Sequence, residues 1–128
     1  MLTEISILLV EDVEEMMSLL VHVIQTIQGV RVSGQAKNTF EARLELSRRR
    51  PDLMFLDEVL PGDSSDDLLQ EMRLEGIPVV LMTSMQEPNT HDLRGAVARV
   101  GKPGWKSIDT DRMKLEKVIF NGLKRSHA

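Results

Sequence analysis

Short apolar runs alternate with longer amphipathic stretches along the chain. The runs Ile5 to Val10, Leu53 to Leu56 and Val79 to Met82 are continuously apolar, as is typical of strands buried on both faces. Val30 to Ala36 alternates between apolar and polar residues and is therefore expected nearer a sheet edge, and Val97 to Val100 provides a fifth run. The pattern predicts five strands.

The stretches between these runs predict helices. Apolar residues at three- and four-residue spacing, with capping residues before them and Gly or Pro after them, mark four helices. Their predicted ranges are about Val13 to Ile27, Asn38 or Thr39 to before Pro51, Ser64 to before Gly76, and Ser107 to Lys124. Between the fourth and fifth strands, Pro88, Gly95 and the polar stretch Gln86 to Asp92 leave room for only a turn or two. We expect a short or irregular fourth helix, or a loop, in that segment.

Alternating strands and helices indicate a parallel sheet with right-handed crossovers and helices on both faces. We therefore expect the α/β class, with a flavodoxin-like, doubly wound (βα)5 fold and the strand order 2-1-3-4-5. The 128 residues, of which 41% are hydrophobic, suffice for one domain with a substantial core. Residues 1-128 are expected to form that single domain, and Ser126-His127-Ala128 after the last helix reads as its end.

Composition argues against several classes of function. The 16 Lys and Arg against 20 Asp and Glu give a formal charge of −4, so no global basic field exists to hold nucleic acid or an anionic membrane surface. The absence of cysteine excludes disulfides and thiolate chemistry. The N-terminus is not signal-like, and no apolar run reaches about 18 residues. The sequence therefore predicts a cytoplasmic protein with neither a membrane nor a nucleic-acid partner.

Polar residues follow four of the predicted strands where each strand ends. In chain order they are Glu11 and Asp12, Asp57, Thr83, and Lys102. The carboxyl ends of parallel strands meet at the edge where open α/β sheets bind ligands. We therefore expect these side chains to converge.

Two of these carboxylates, Asp12 and Asp57, would repel each other. At about 4 Å, like charges cost roughly 1 kcal/mol in water and roughly 4 kcal/mol at an effective dielectric constant near 20, so the pair needs a cation or a proton. Mg²⁺ fits, since one or two carboxylates usually hold it together with waters and a phosphate. Lys102 and Thr83 then supply a charge and a hydroxyl for an anion. The set indicates phosphoryl transfer to a carboxylate nucleophile.

From residue 4 to about 124, the chain resembles the receiver domain of two-component response regulators, of the CheY-like kind. The motifs that carry this resemblance are Leu8-Leu9-Val10-Glu11-Asp12, Pro51-Asp52-Leu53, Leu56-Asp57 with Pro61 four residues on, Val79-Val80-Leu81-Met82-Thr83-Ser84, and Lys102-Pro103. Each motif alone is weak. Their order on successive strand ends is specific.

The resemblance implies a metal-binding role for several residues. It makes Asp57 the phosphoacceptor and, together with Asp12, a direct ligand of Mg²⁺. It implies that Glu11 binds the metal through a water molecule and that the backbone carbonyl of Val59 is a further ligand. Glu58 is either a further polar residue around the metal or simply a solvated acid.

The resemblance also assigns residues to the phosphoryl group. Thr83 is implied to bond a phosphoryl oxygen after activation, and Lys102 to pair with the phosphoryl charge. A cis bond is implied between Lys102 and Pro103. Ser84 is a candidate for a further contact here. Arg99 is a candidate to pair with the phosphoryl group or with an acid of a partner, or else an exposed strand-end arginine.

Several residues depart from the family pattern. Receivers usually have Tyr or Phe three residues before the lysine, where the ring rotates inward on activation, but this chain has Arg99 there and no tyrosine at all. Ser65 replaces a glycine common eight residues after the phosphoacceptor, and Gly104-Trp105 replaces a Phe that often follows Lys-Pro. The segment from Thr83 to Lys102 is also shorter than usual. A signal is therefore expected to leave by a route other than a rotating ring.

The predicted function is a magnesium-dependent phosphoacceptor switch, a signalling module rather than an enzyme. The implied partners are a histidine kinase or phosphotransfer protein, a downstream protein target and, as a further candidate, a second copy of the chain in a homodimer. On the last helix Met113 and Phe120 lie seven residues apart, outside the core stripe. They are either peripheral packing or, with Arg99, part of a partner interface.

Two other functions agree with parts of the sequence. A degenerate receiver would use the fold as a docking surface without phosphorylation; Arg99 favours this alternative, and the retained acids oppose it. An aspartyl phosphatase would need a second acid two residues after its nucleophile, where this chain has Val59. A titration with Mg²⁺ and a small phosphodonor would separate the alternatives.

Overall fold

The computed structural model of the chain describes residues 4–84 and 93–126, with side chains up to residue 124. Within these residues the strands are β1 (Ile5–Val10), β2 (Val30–Ala36), β3 (Leu53–Asp57), β4 (Val79–Thr83) and β5 (Ala98–Gly101). The helices are α1 (Glu14–Gln25), α2 (Thr39–Arg48), α3 (Ser65–Glu75) and α4 (Ile108–Ser126), the last preceded by a short 3-10 helix, Trp105–Ser107. None of these described helices is long and apolar enough to span a membrane.

The strands form one parallel sheet in the order β2-β1-β3-β4-β5. This confirms the predicted flavodoxin-like topology, including the position of β2 at an edge. Asp57 on β3 is in register with Met82 on β4, and Thr83 on β4 is in register with Gly101 on β5. The register therefore brings the carboxyl ends of these strands to one edge of the sheet.

Side chains from both faces of the sheet are buried under helices. One face packs against α1 and α4, through residues such as Leu20 and Ile119. The other face packs against α2 and α3, through residues such as Leu68 and Met72. Full burial of an apolar side chain of this size contributes about 1.5–3 kcal/mol, so the two layers hold the strand ends in fixed positions.

Local capping signals begin and end the helices beside the strands. Asn38 caps α2, where its side chain accepts a hydrogen bond from the N–H of Glu41 at 2.8 Å. Ser64 caps α3 by accepting a hydrogen bond from the N–H of Asp67 at 3.3 Å. Gly76 follows α3 in the left-handed conformation, with φ of 73°, which glycine adopts at least cost. The predicted start and stop signals of both helices are confirmed.

Two expectations for the segment after β4 have different outcomes. The bond between Lys102 and Pro103 is trans, because the described residues contain no cis peptide bond, and the cis expectation is therefore wrong. X–Pro bonds favour the trans isomer by about 0.5–1 kcal/mol. The expected short fourth helix falls largely on residues 85–92, which lie outside the described residues. Among residues 93–97, which the structure describes, there is no helix.

Candidate functional site

Three carboxylates meet at the carboxyl ends of β1 and β3. Asp57 is the last residue of β3, and Glu11 and Asp12 directly follow β1. The two strands are neighbours in the sheet, and one carboxylate oxygen from each of the three residues lies within 4.8 Å of the others. Glu11 and Asp57 are buried, with 0% and 3% of their surface exposed, while Asp12 is half-buried. The acids thus converge as the strand order requires.

Lys102 brings one positive charge into this group. Its Nζ lies 2.7 Å from Oε1 of Glu11 and donates a hydrogen bond to Oδ2 of Asp57 at 3.1 Å. The backbone N–H of Lys102 donates to the carbonyl of Thr83 at 2.8 Å, which fixes the start of the lysine loop against the end of β4. The ammonium therefore contacts the carboxylate that the resemblance implies to be the phosphoacceptor.

The pKa values of Asp57 and Lys102 are both raised, for different reasons. Burial raises the pKa of Asp57 to about 6, and the carboxylate of Glu11 adds to the rise. Hydrogen bonds from the N–H of Val59 and from Lys102 oppose that rise without cancelling it. Burial by itself would lower the pKa of Lys102, but its contacts with Glu11 and Asp57 raise the pKa overall. The lysine therefore stays charged in a site that has more acid than base.

The donor atoms suit a hard divalent cation. Three carboxylates and one ammonium leave a formal charge of −2 when all are ionised, since −3 + 1 = −2. Oε1 of Glu11 is buried, and its contact at 2.7 Å with Nζ of Lys102 is an ion pair. Mg²⁺ prefers oxygen ligands and is commonly held by one or two carboxylates. The residues present therefore fit Mg²⁺.

The loop after β3 is anchored to Asp57 at two points. The N–H of Val59 donates a hydrogen bond to Oδ1 of Asp57 at 3.1 Å. The hydroxyl of Ser65 donates to the backbone carbonyl of Asp57 at 2.8 Å, in a buried contact. At a position where receivers commonly have glycine, the side chain of Ser65 thus ties the start of α3 to the end of β3. The carbonyl of Val59, the implied metal ligand, belongs to this anchored loop.

Thr83 and Ser84 lie at the end of β4. Thr83 is the last residue of the strand and is buried, and Met82 before it is in register with Asp57. Thr83 therefore lies one residue beyond Asp57 along the neighbouring strand. Ser84 is exposed. The structure brings Thr83 to the edge that holds the acids and leaves Ser84 at the surface.

Arg99 forms an ion pair with Glu58 through two hydrogen bonds. Its Nε and Nη2 each donate to one carboxylate oxygen of Glu58 at 2.6 Å. The two side chains are only 11% and 19% exposed. Neither the solvated-acid interpretation of Glu58 nor the exposed interpretation of Arg99 agrees with this burial. Both residues were candidates from the sequence, but the ion pair between them, which joins positions 41 residues apart, was not predicted. The signal available for it was the presence of opposite charges near the ends of β3 and β5.

Three apolar side chains in or next to α4 are exposed. Met113 and Phe120 have 64% and 42% of their surface exposed, so they lie outside the core. Trp105 is 62% exposed, and the centre of its ring lies 5.8 Å from that of His22 on α1. The ring contact connects the segment after Lys102 to the helix that follows Asp12.

The family model of the response regulator receiver domain matches residues 7–112. The chain belongs to the response-regulator receiver family. It is 33% identical over 108 residues to protein-glutamate methylesterase/protein-glutamine glutaminase 1 of Caulobacter vibrioides, over 80% of this chain and 31% of that protein. Protein-glutamate methylesterase/protein-glutamine glutaminase of Rhizobium etli is 33% identical over 104 residues, which are 77% of this chain and 30% of the relative. The receiver therefore spans about a third of the length of these curated relatives.

Solved receiver structures share the fold. The response regulator domain of Thermotoga maritima CheB aligns with a TM-score of 0.78 at 21% identity, over 94% of this chain and 97% of that chain. The signal receiver domain of Mycobacterium tuberculosis NarL aligns with a TM-score of 0.77 at 19% identity, over 95% and 98%. A complex of the P1 domain of CheA3 with CheY6 from R. sphaeroides matches with a TM-score of 0.77 at 21% identity, over 91% and 98%. At these identities the similarity concerns the fold alone, and it confirms the expected receiver architecture.

Proposed function

We propose that this receiver is a magnesium-dependent phosphoacceptor switch in which Asp57 accepts a phosphoryl group. The observation that most supports it is the burial of Asp57 beside two other carboxylates and the ammonium of Lys102. Such a carboxylate is held in one position, next to groups that can bind a metal and a phosphoryl oxygen. We also propose that residues 1–128 form one receiver domain.

The transfer itself needs only a few of the chain's groups. One carboxylate oxygen of Asp57 attacks the phosphorus of a phosphohistidine, the new O–P bond forms as the P–N bond breaks, and the imidazole leaves with the electron pair. The ammonium of Lys102 then pairs with the phosphoryl oxygens, and the hydroxyl of Thr83 donates to one of them. Both groups stabilise the negative charge that the phosphoryl group adds to Asp57.

The residues proposed to hold Mg²⁺ are Asp12 and Asp57 directly, Glu11 through water, and Val59 through its backbone carbonyl. When bound, the ion supplies positive charge that offsets the carboxylates and the transferring group. Ser84 lies at the surface of this edge and is a candidate for a further polar contact. The three acids are close enough to share one ion.

A histidine kinase or a histidine phosphotransfer protein is the proposed phosphodonor. The complex of the P1 domain of CheA3 with CheY6 supports a donor domain that docks on a receiver. We propose that the exposed pair Met113 and Phe120 on α4 forms the binding surface for a downstream protein. That protein should then bind the Phe120→Ala variant more weakly than the wild type. The curated relatives are about three times as long as the matched segment, so their methylesterase and glutaminase activities are not extended to this chain.

The second candidate is a receiver that binds its partner without phosphorylation. The Arg99–Glu58 pair favours it, because a paired and largely buried arginine replaces the aromatic side chain that the family uses as a switch. The acids around Asp57 oppose it, because a docking surface has no need for buried carboxylates that repel one another.

Intact-mass measurement separates the two candidates. After incubation with Mg²⁺ and acetyl phosphate or phosphoramidate, the wild-type chain should gain the mass of one phosphoryl group. Asp57→Asn should gain none, while Asp109→Asn, which changes an exposed acid at the start of α4, should behave as the wild type. No gain in the wild type, or an equal gain in Asp57→Asn, would reject Asp57 as the phosphoacceptor.

A further inference from the structure

A carboxylate outside the acidic site binds the loop after β3 to the beginning of α2. Oδ2 of Asp63 accepts a hydrogen bond from the N–H of Thr39 at 2.7 Å, and Oδ1 accepts one from the Thr39 hydroxyl at 2.6 Å. Thr39 is the first residue of α2 and is buried, with 5% of its surface exposed. These contacts lower the pKa of Asp63, so the carboxylate stays ionised. We refer to this pair as the Asp63–Thr39 clamp.

Contacts on both sides hold the clamp in position. Arg43 donates a hydrogen bond to Oγ1 of Thr39 at 3.2 Å and binds Glu71 of α3 through Nε at 3.1 Å and Nη2 at 2.6 Å. On the loop side, the N–H of Asp63 donates to the carbonyl of Leu60 at 3.1 Å. The clamp therefore connects α2, α3 and a closed turn of the loop.

The same loop is fixed to Asp57 at its other end. The N–H of Val59 donates to Oδ1 of Asp57, and the segment from Val59 to Asp63 contains only five residues. With both ends held, the peptide groups between them have few orientations available. The carbonyl of Val59 is one of these groups.

We propose that Asp63 is a positioning residue for the metal site, acting through the loop to orient the carbonyl of Val59 toward the ion. The inference rests on the proposed function, because that function makes the carbonyl a ligand. Loss of the clamp leaves all carboxylate ligands in the chain and releases the loop from α2. In Asp63→Ala the contact between Oδ1 and the N–H of Ser64, at 3.2 Å, is lost as well. The expected effect is a weaker metal site, in the range of about 10–100-fold that is typical when groups supporting metal ligands are removed.

The chain contains a matched control at the opposite edge of the sheet. Asp52 accepts hydrogen bonds from both the N–H and the hydroxyl of Ser6, at 2.8 and 3.1 Å. As in the Asp63–Thr39 clamp, one carboxylate accepts hydrogen bonds from the N–H and the hydroxyl of a single residue. Ser6 and Asp52 lie at the amino ends of β1 and β3, away from the acids. Removing this clamp should cost stability without touching the metal loop.

The test compares Asp63→Ala with Asp52→Ala in the full chain. Calorimetric titration with Mg²⁺ should give at least a tenfold weaker Kd for Asp63→Ala and less than a twofold change for Asp52→Ala. Urea unfolding without metal should show comparable losses of stability for both. Asp12→Asn serves as the reference for loss of a direct ligand.

Two variants of Thr39 test whether the clamp itself is responsible. Thr39→Ser keeps the hydroxyl and should retain wild-type affinity for Mg²⁺, while Thr39→Val should lose part of it. Equal Kd values for Asp63→Ala and the wild type, or equal losses in Asp63→Ala and Asp52→Ala, would overturn the positioning role while leaving the phosphoacceptor site intact. Absence of Mg²⁺ binding by the wild type would overturn both proposals.

Discussion

Two clusters of opposite charges lie at the same edge of the sheet and differ in charge balance. In one, Lys102 faces the carboxylates of Glu11 and Asp57, and acid is in excess. In the other, Arg99 and Glu58 neutralise each other through two hydrogen bonds at 2.6 Å. The unbalanced cluster has net negative charge, which suits the proposed Mg²⁺ ion. The balanced pair has its charges satisfied and acts by holding parts of the fold together.

The register shows what the balanced pair holds. Arg99 lies on β5 opposite Leu81, and Glu58 directly follows β3. Since β4 lies between these strands, the pair crosses over β4 and joins its two neighbours near Thr83. A guanidinium with two donors to a carboxylate fixes this geometry more strictly than an ammonium would. The position that carries a rotating ring in related receivers here carries a cross-strand connection.

The largest expected effect is on the pH dependence of the free energy of unfolding, which the unbalanced cluster should control. Burial raises the pKa of Asp57 from 3.8 to about 6, so ionisation of this carboxyl destabilises the folded state. The favourable contribution of the protonated form to the free energy of unfolding is complete below about pH 4 and is lost as the pH rises from there through about 6. Without metal, Asp57→Asn should therefore be more stable than the wild type at neutral pH, as measured by urea unfolding.

Mg²⁺ and a second variant serve as controls for this effect. Saturating Mg²⁺ should stabilise the wild type and leave Asp57→Asn nearly unchanged, because the ion favours the ionised site. Glu58→Gln alters the balanced pair and should destabilise the protein at neutral pH. An Asp57→Asn protein that is less stable than the wild type at neutral pH would show that the ionised carboxylate of Asp57 does not destabilise the metal-free fold.

A somewhat smaller effect on the free energy of unfolding should follow from replacing the basic residue of each cluster. Arg99→Met leaves the carboxylate of Glu58 largely buried without its ion-pair partner and should cost about 2–3 kcal/mol, below the 3–5 kcal/mol of a fully buried pair. Adding Glu58→Gln should recover much of this loss. Lys102→Met should also destabilise the metal-free protein, since Glu11 and Asp57 then repel each other directly.

Mg²⁺ distinguishes these two losses. In Lys102→Met the ion can replace the missing charge, so its stabilising effect should exceed that in the wild type. In Arg99→Met its effect should equal that in the wild type, because the variant leaves the charge of Lys102 and the three carboxylates of the acidic site unchanged. Equal effects of Mg²⁺ on the two variants, measured by urea unfolding, would show that the two clusters form one electrostatic unit.

The unbalanced cluster could be predicted from the sequence, and the balanced pair could not. Asp57 and Lys102 each follow a short apolar run, and a parallel sheet collects the ends of all its strands at one edge. This inference needs only local patterns and the strand order. The contact between Glu58 and Arg99 depends instead on how far a long side chain reaches across β4, which no periodicity records.

The clamp at Thr39 shows the same limit in a smaller feature. Asn38 and Thr39 were both candidates to cap α2, and Asn38 does so. Thr39 binds Asp63 instead, 24 residues away. Capping preferences describe a helix and its nearest neighbours, whereas the partner of Thr39 is set by the path of the loop after β3. Local rules thus predict the frame of this receiver better than the contacts between its loops.

The smallest expected effect concerns communication between the two clusters, with Trp105 as the reporter. Its side chain is 62% exposed, contacts His22 and follows Lys102 by three residues. Beryllofluoride with Mg²⁺, which mimics a phosphoryl group, should draw Lys102 away from Glu11 and alter the surroundings of the ring. A change in Trp105 fluorescence is expected in the wild type. If the clusters are independent, Arg99→Met should show the same change.

A matched control comes from moving the fluorophore. Phe40 on α2 is 68% exposed, and its exposure is close to that of Trp105. The double variant Trp105→Phe with Phe40→Trp therefore carries a similarly exposed indole away from the lysine loop, and its fluorescence should stay constant. A flat signal from Trp105 despite demonstrated binding would show that the lysine loop does not move. A signal that disappears in Arg99→Met would show that the balanced pair transmits the change, so that a salt bridge has replaced the ring as part of the switch.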